Sequence, residues 1–359
     1  MLNFLQKLIT FDTTQIENQA IEFIEGYVRN IYGDQLIYEK QDISDKGRYN
    51  LIIKNTNKPD VILAGHVDVV PELSKEQFIP RIDGNKLYGR GAVDMKAGVA
   101  INIALIDFML KNKIKFWILS YTDEEYNFLG MKKFVEVYGG KIKPKLTIVT
   151  EPTNKIIYTG FRGIAVVNLQ IGGVSVHSAL KHLGINAIEE YIHYIENLEE
   201  YIQTKDSDGY VSLTNLAGIH GGIDKDGIIV SQANIVPNTA KGIFSLRLGN
   251  MLSYQEFESF TRNYLDKNGI KIISLEKKNW CYPLIQSDLL NKYSKYSKVE
   301  SGLTFGYSDV QLIKEYIGGD CLLIGPGPFE KAHQIDEYVE IESIYQSKEI
   351  IEKILKDFA

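Results

Sequence analysis

Four apolar runs of strand length in this chain end in residues that carry chemistry, and this limits the possible folds more than any other feature. VILAGHVD delivers His66 and Asp68, FWILSYTDEE delivers Asp123, Glu124 and Glu125, LTIVTEPT delivers Glu151, and CLLIGPGPFEKAH delivers His333. Open α/β sheets bind ligands beyond the carboxyl ends of their strands, so these groups are expected to meet in one crevice. Carboxylates crowded into a low-dielectric cleft cannot all stay ionised without a compensating cation, and a set of His plus Asp/Glu suits zinc. A metal site follows from the pattern.

Taken singly, each residue also has a plainer reading. His66 and Asp68 are two apart and share a face if the strand continues, so Asp68 could orient the imidazole or the two could form a buried His–acid pair. Asp94, in LYGRGAVDMKAGVA, sits in a glycine-rich turn before a helix expected to be amphipathic, where an N-cap carboxylate is the alternative. A phosphate loop fails there, because the Gly-Lys-Ser/Thr ending is missing and an acid would face the phosphate. Glu124 and Glu125 are adjacent and point apart, so one can bind metal while the other faces water; any isolated DEE also reads as a solvated loop. Glu151 precedes Pro152, which makes the backbone extended or turned, and an acid there can be satisfied by solvent. His182, His193 and His220 are given no role.

The order of elements divides the chain. Apolar runs at 50–54, 61–64, 116–120 and 146–150 have strand length, and 18–32 and 95–110 have helical periodicity, which reads as α/β. From about Gly163 the texture becomes strand 164–171, helix 186–202, strands near 227–234 and 240–248, helix 254–267 and strand 271–275. This βαββαβ order predicts a small ferredoxin-like α+β domain over 163–279. The α/β texture then resumes, with a helix near 309–315, strand 321–324 and a helix from 341, so residues 1–162 and 280–359 form one discontinuous domain around an insertion.

At 359 residues the chain is too long for one ordinary core, which agrees with two domains. No window offers the roughly 18 apolar residues of a membrane span. The N-terminal MLNFLQKLITFDTTQ lacks the pattern of a secretory signal, so a cytoplasmic location is expected. Cys281 and Cys321 form no CxxC pair, which argues against a disulfide framework or a cysteine-built zinc site. A net charge of −6, with no Lys/Arg stripe interleaved with aromatics, sets nucleic acid aside as a partner.

The order of LAGHVDVVP, YGRGAVDMKAGVA, TDEE, TEPT, VHSALKHLGINAI, NIVPNTA with SLRL, and GPGPFEKAHQIDE resembles the co-catalytic zinc peptidase and deacylase family. That family includes acetylornithine deacetylase, succinyl-diaminopimelate desuccinylase, aminoacylase and related carboxypeptidases. The resemblance spans nearly the whole chain and implies a zinc-peptidase-like catalytic α/β domain with an inserted lid and dimerisation domain, acting as a homodimer on small N-acyl amino acids. It implies that Asp94 bridges two Zn2+ ions, for which Co2+ or Mn2+ could substitute, that His66 and Glu151 complete one site, and that Glu125 and His333 complete the other. Asp68 would steady His66, and the Asp94–Met95 peptide bond would be cis. Glu124 would act as general base on water held between the metals. His177, from a partner subunit, would stabilise the oxyanion. Arg247 would grip the substrate carboxylate, with Asn234 and Arg162 nearby.

One segment departs from the desuccinylases. Where they carry Gly-Gly-Thr-Ser-Asp-x-Arg, this chain reads FGYSDVQL from Phe305 to Leu312, without the arginine; Ser308 and Asp309 preserve the turn. A dicarboxylic acyl group would therefore lack a matched cation, and the expected substrate is an Nα-acyl basic amino acid. A dipeptidase or carboxypeptidase of the same family, or a non-catalytic metal-dependent amino-acid binding protein, are the alternatives; the presence of Glu124 argues against the last.

Overall fold

The structure, a computed structural model, describes residues 1–43, 47–207, 211–300 and 307–359. Cα packing separates two compact units, one containing Met1–Thr159 and most of the chain from Gln286 onward, the other containing Gly160–Ile285.

The first unit is built on an eight-stranded sheet. Its order is Ile37–Asp42, Tyr49–Lys54, Phe116–Tyr121, Val61–His66, Leu146–Val149, Asp320–Leu323, Ile157–Tyr158 and Val299–Glu300. The central strands Phe116–Tyr121, Val61–His66, Leu146–Val149 and Asp320–Leu323 run parallel, with His66 level with Tyr121 and Ala64 level with Val149. Every residue of Val61–His66, Phe116–Tyr121 and Leu146–Val149 is buried, the pattern of strands covered on both faces. From Val61–His66 the chain passes to one neighbour and then to the other, so the order reverses at the strand that ends in His66. Such a reversal opens a crevice at the carboxyl edge.

The helix Lys96–Ala104 is buried on all sides from Lys96 to Ile103, which corrects the expectation of an amphipathic helix. The reason is its position. Gly98 lies so close to the end of the strand Leu146–Val149 that an added Cβ would sit 2.1 Å from the carbonyl oxygen of Thr150, the next residue. Asn102 donates to Ala64 O (3.1 Å) and to Thr150 Oγ1 (3.0 Å), tying together the two strand ends that lead to His66 and Glu151. The expected helix over 95–110 is interrupted at Leu105, and a second short helix runs Ile106–Lys111.

The second unit is a five-stranded antiparallel sheet in the order Ile228–Val230, Leu213–Lys225, Thr239–Leu248, Gly163–Gly172, Lys271–Cys281. Without the short strand Ile228–Val230 it has the βαββαβ sequence and 4-1-3-2 strand order of a ferredoxin-like domain. Gly163–Gly172 alternates buried and half-buried residues, so one face packs and the other is open. Ala165, Val167, Leu169 and Ile171 meet Tyr191, Tyr194 and Leu198 of the helix Ala187–Gln203 and Phe257 and Leu265 of the helix Tyr254–Lys267 in one apolar core.

Two strand expectations need correction here. The strand expected at 227–234 is instead the long Leu213–Lys225 followed by the short Ile228–Val230. The last strand runs to Cys281, six residues past the expected end. Among the described residues no helix is long and apolar enough to cross a membrane.

Candidate metal centre

Each parallel strand delivers its polar residues at the same edge. His66 ends its strand, and its Nδ1 lies 3.0 Å from the Asp68 carbonyl oxygen and 3.5 Å from Asp68 Oδ1, so the backbone carbonyl of Asp68 bonds the ring while the carboxylate stands beside it. Asp68 Oδ2 accepts from the Glu125 N–H at 3.0 Å, which joins the His66 turn to the TDEE turn. Within that turn Asp123 has φ 65°, in the left-handed region that Asp tolerates better than most residues. Its carboxylate pairs with Arg48 (3.0 Å), which also reaches the buried Glu17 (3.2 Å). Asp123 thus anchors the turn while the next two residues project elsewhere.

Asp94 lies at the centre. Its Oδ1 is 3.3 Å from His66 Nε2 and its Oδ2 is 3.3 Å from His333 Nε2. His66 Nε2 is also 3.9 Å from Glu151 Oε1, and His333 Nε2 is 3.1 Å from Glu125 Oε1. The Asp94–Met95 peptide bond is cis, as the resemblance implied. The structure therefore brings His66, Asp94, Glu125, Glu151 and His333 together, although they are spread over most of the sequence. They fall into two groups that share Asp94.

The donor chemistry fits divalent cations. A tetrahedral zinc with bonds of about 2.0–2.1 Å separates its ligand atoms by roughly 3.3–3.4 Å, close to the His–carboxylate spacings here. His66, Asp94 and Glu125 also offer one donor atom each within 4.8 Å of one another. Glu125 thus lies within reach of both imidazoles, with Asp94 between them.

Electrostatics point the same way. Asp68, Asp94, Glu124, Glu125, Glu151 and Asp309 are mutual neighbours, against the two imidazoles of His66 and His333. Burial raises the carboxyls of Glu124 and Glu151 well above the usual range, opposed by His66 and reinforced by nearby acids. Burial also raises Glu125, with Asp94 adding to it, and pushes Asp309 up to about 7. Hydrogen bonds donated by the His333 ring to Asp94 and Glu125 push His333 up to about 10. Burial alone would raise Asp94, but the two imidazoles hold it below its ordinary value. This surplus of negative charge is what bound divalent cations would neutralise.

Glu124 is partly buried and makes no hydrogen bond among the described residues, unlike Glu125, which contacts His333. Sequence reasoning passed over Asp309 except as a turn residue. It is fully buried, accepts from the Tyr121 hydroxyl at 2.9 Å, and keeps Oδ2 without a partner among the described residues. Phe305 and Gly306 of the departing segment lie outside the described residues. Cys321 is buried and its thiol is pushed up to about 12, so it is no nucleophile at neutral pH.

The other expected residues belong to the second unit. His177 is exposed, and its Nδ1 accepts from the Ala179 N–H at 3.1 Å. It is bridged to Ile235, beside Asn234, whose carbonyl accepts from Ser178. Arg162 and Arg247 are electrostatic neighbours, and burial followed by Arg162 lowers Arg247 from its usual value. Neither has a carboxylate partner among the described residues, an arrangement suited to an anion.

Residues 62–357 match the profile of Peptidase family M20/M25/M40. The chain is 28% identical to succinyl-diaminopimelate desuccinylase of Pelagibacter ubique, over 99% of this chain and 98% of that one. It is 26% identical to acetylornithine deacetylase of Buchnera aphidicola, over 96% and 92%. A solved structure of a dinuclear metal binding peptidase from Bacillus subtilis shares the fold, with a TM-score of 0.70, 14% identity, and coverage of 100% of this chain and 98% of that one.

Proposed function

The chain belongs to Peptidase family M20/M25/M40 and is a metal-dependent hydrolase, and from that premise we propose that it hydrolyses the amide bond of an Nα-acyl basic amino acid at a pair of Zn2+ ions. The observation that carries this reading is Asp94, which offers one carboxylate oxygen to His66 and the other to His333. His66, Asp94 and Glu151 would hold one ion, and His333, Asp94 and Glu125 the other. When bound, such ions polarise a carbonyl and lower the pKa of a coordinated water to about 7.

The chain's own residues supply the remaining steps. Asp68 keeps Nε2 of His66 directed at Asp94 by holding Nδ1, and fixes Glu125 through its backbone N–H. Glu124 takes a proton from the attacking water and gives it to the leaving nitrogen. Burial raises its carboxyl above that of an ordinary glutamate, the direction that proton transfer near neutral pH requires. Arg247, with Asn234 and Arg162, would hold the substrate carboxylate, and His177 of a partner subunit would stabilise the oxyanion. A homodimer formed through the inserted domain is part of the same proposal and rests on family resemblance.

The six carboxylates of Asp68, Asp94, Glu124, Glu125, Glu151 and Asp309 outnumber the four positive charges of two divalent cations, and the remainder favours a cationic leaving amino acid; the names of the relatives, a desuccinylase and a deacetylase, support acyl transfer to water. A panel of Nα-acetyl and Nα-succinyl basic amino acids and dipeptides, tested on purified zinc-loaded protein, examines the substrate class. Hydrolysis of the acyl amino acids, with acetyl preferred over succinyl because the YSDVQL segment lacks the arginine, is the expected outcome. Cleavage of dipeptides alone rejects the substrate assignment.

A further inference from the structure

The buried pair Arg90–Glu337 lies outside every role assigned so far. Arg90 belongs to the YGRG turn, Glu337 follows His333 by four residues, and both side chains are 1% exposed with Nη1 and Oε2 2.6 Å apart. A buried ion pair is favourable only where additional hydrogen bonds satisfy both partners. Here the second carboxylate oxygen of Glu337 accepts from the N–H groups of Val93 (3.1 Å) and Asp94 (3.3 Å). Its main-chain carbonyl accepts from Gly89 N–H at 3.1 Å. Arg90 Nη2 donates to the Pro71 carbonyl at 3.3 Å, and Gln77 Nε2 donates to the carbonyls of Gln334 (3.0 Å) and Ile335 (3.2 Å).

These bonds join two segments far apart in sequence, residues 89–94 ending in Asp94 and residues 333–337 beginning with His333. His333 itself has φ 64°, a left-handed conformation that a non-glycine residue keeps only when its surroundings impose it. With its side chain 45% exposed, His333 is also the least enclosed of the five proposed ligands, so little packing holds it. Its placement depends on the bonds made by the residues that follow it.

We propose that Glu337, held by Arg90, is a positioning residue that locks the Asp94 turn to the His333 loop and thereby sets the cation affinity of the His333–Glu125 side of the centre. This rests on the two-cation reading above. An amide at 337 has one acceptor oxygen and cannot bond both Arg90 and the Val93 and Asp94 N–H groups, which loosens the loop after His333, while His66 and Glu151 remain anchored on their own strands. The two cations should then respond unequally.

Titration of the apo-protein with Co2+, followed by its visible absorption, reads this directly, with the melting temperature of the apo-protein measured alongside. The wild type is expected to take two equivalents. Glu337→Gln is expected to leave the first nearly unchanged and weaken the second on the order of 10- to 100-fold, the range for loss of a group that orients a ligand. At saturating Co2+ its kcat should largely recover with KM unchanged. Equal weakening of both equivalents, or wild-type affinity for both, overturns the proposal and leaves the pair a general structural element. Uptake of fewer than two equivalents by the wild type removes the two-cation reading and this inference with it. Should Glu337→Gln fail to fold, Arg90→Lys retains the ion pair and loses the Pro71 contact; a smaller loss confined to the second equivalent is expected, and no change there overturns the proposal.

Discussion

Glu124→Gln is expected to lower kcat/KM by about 10² to 10⁴, the usual contribution of a positioned proton-transfer group, with two cations still bound. Glutamine keeps the shape of glutamate and cannot accept the proton. Glu124 makes no hydrogen bond among the described residues, so no network collapses when its charge is removed. Its neighbours Asp309, Glu151 and Glu125 are all acids, and one fewer charge among them relieves repulsion. The variant should therefore fold at least as well as the wild type and fail only in turnover. Steady-state kinetics beside metal analysis of the same preparation make the comparison, and undiminished turnover would take Glu124 out of the mechanism.

Asp94→Asn is expected to act through the metals instead. Losing a group that merely orients a ligand costs about 10- to 100-fold in affinity or activity, and Asp94 is proposed as a direct ligand of both ions. Activity should fall by more than about 100-fold, and metal content below two equivalents per chain. Asparagine offers one carbonyl oxygen where aspartate offers two, so it cannot serve His66 and His333 alike. Retention of two equivalents at wild-type affinity would contradict a bridging role. The two variants form a contrast: one keeps its metal and loses chemistry, the other loses chemistry because it loses metal.

What could be read from the sequence follows from how each element is buried. The central parallel strands are covered on both faces, so they appear as continuous apolar runs, and the acids and histidines that follow them stand out by contrast. The helix Asn18–Tyr32 was legible to its ends, since four buried positions recur at helical spacing and Gly33 stops it at φ 51°. Lys96–Ala104 was misread because small residues on its second face look neutral until a strand is packed against them.

In the second unit, Leu213–Lys225 carries several glycines and few buried residues, so its pairing with Thr239–Leu248 supplies what side-chain pattern does not. Lys271–Cys281 lies at a sheet edge with two register irregularities, where lysines and glutamate are at home and hide the continuation of the strand. Glu337 was passed over for a different reason. A single acid in a polar loop reads as solvated, and nothing local to it announces a buried arginine 247 positions earlier. The same holds for Asp309, whose partner Tyr121 is 188 positions away.

Anomalous diffraction at the zinc edge from crystals of the zinc-loaded protein tests the central claim most directly. Two peaks about 3.5–4 Å apart are expected. One should lie about 2.0–2.2 Å from ligand atoms of His66, Asp94 and Glu151, the other at the same range from His333, Asp94 and Glu125. A single peak, or peaks bound by other residues, would contradict the two-cation centre.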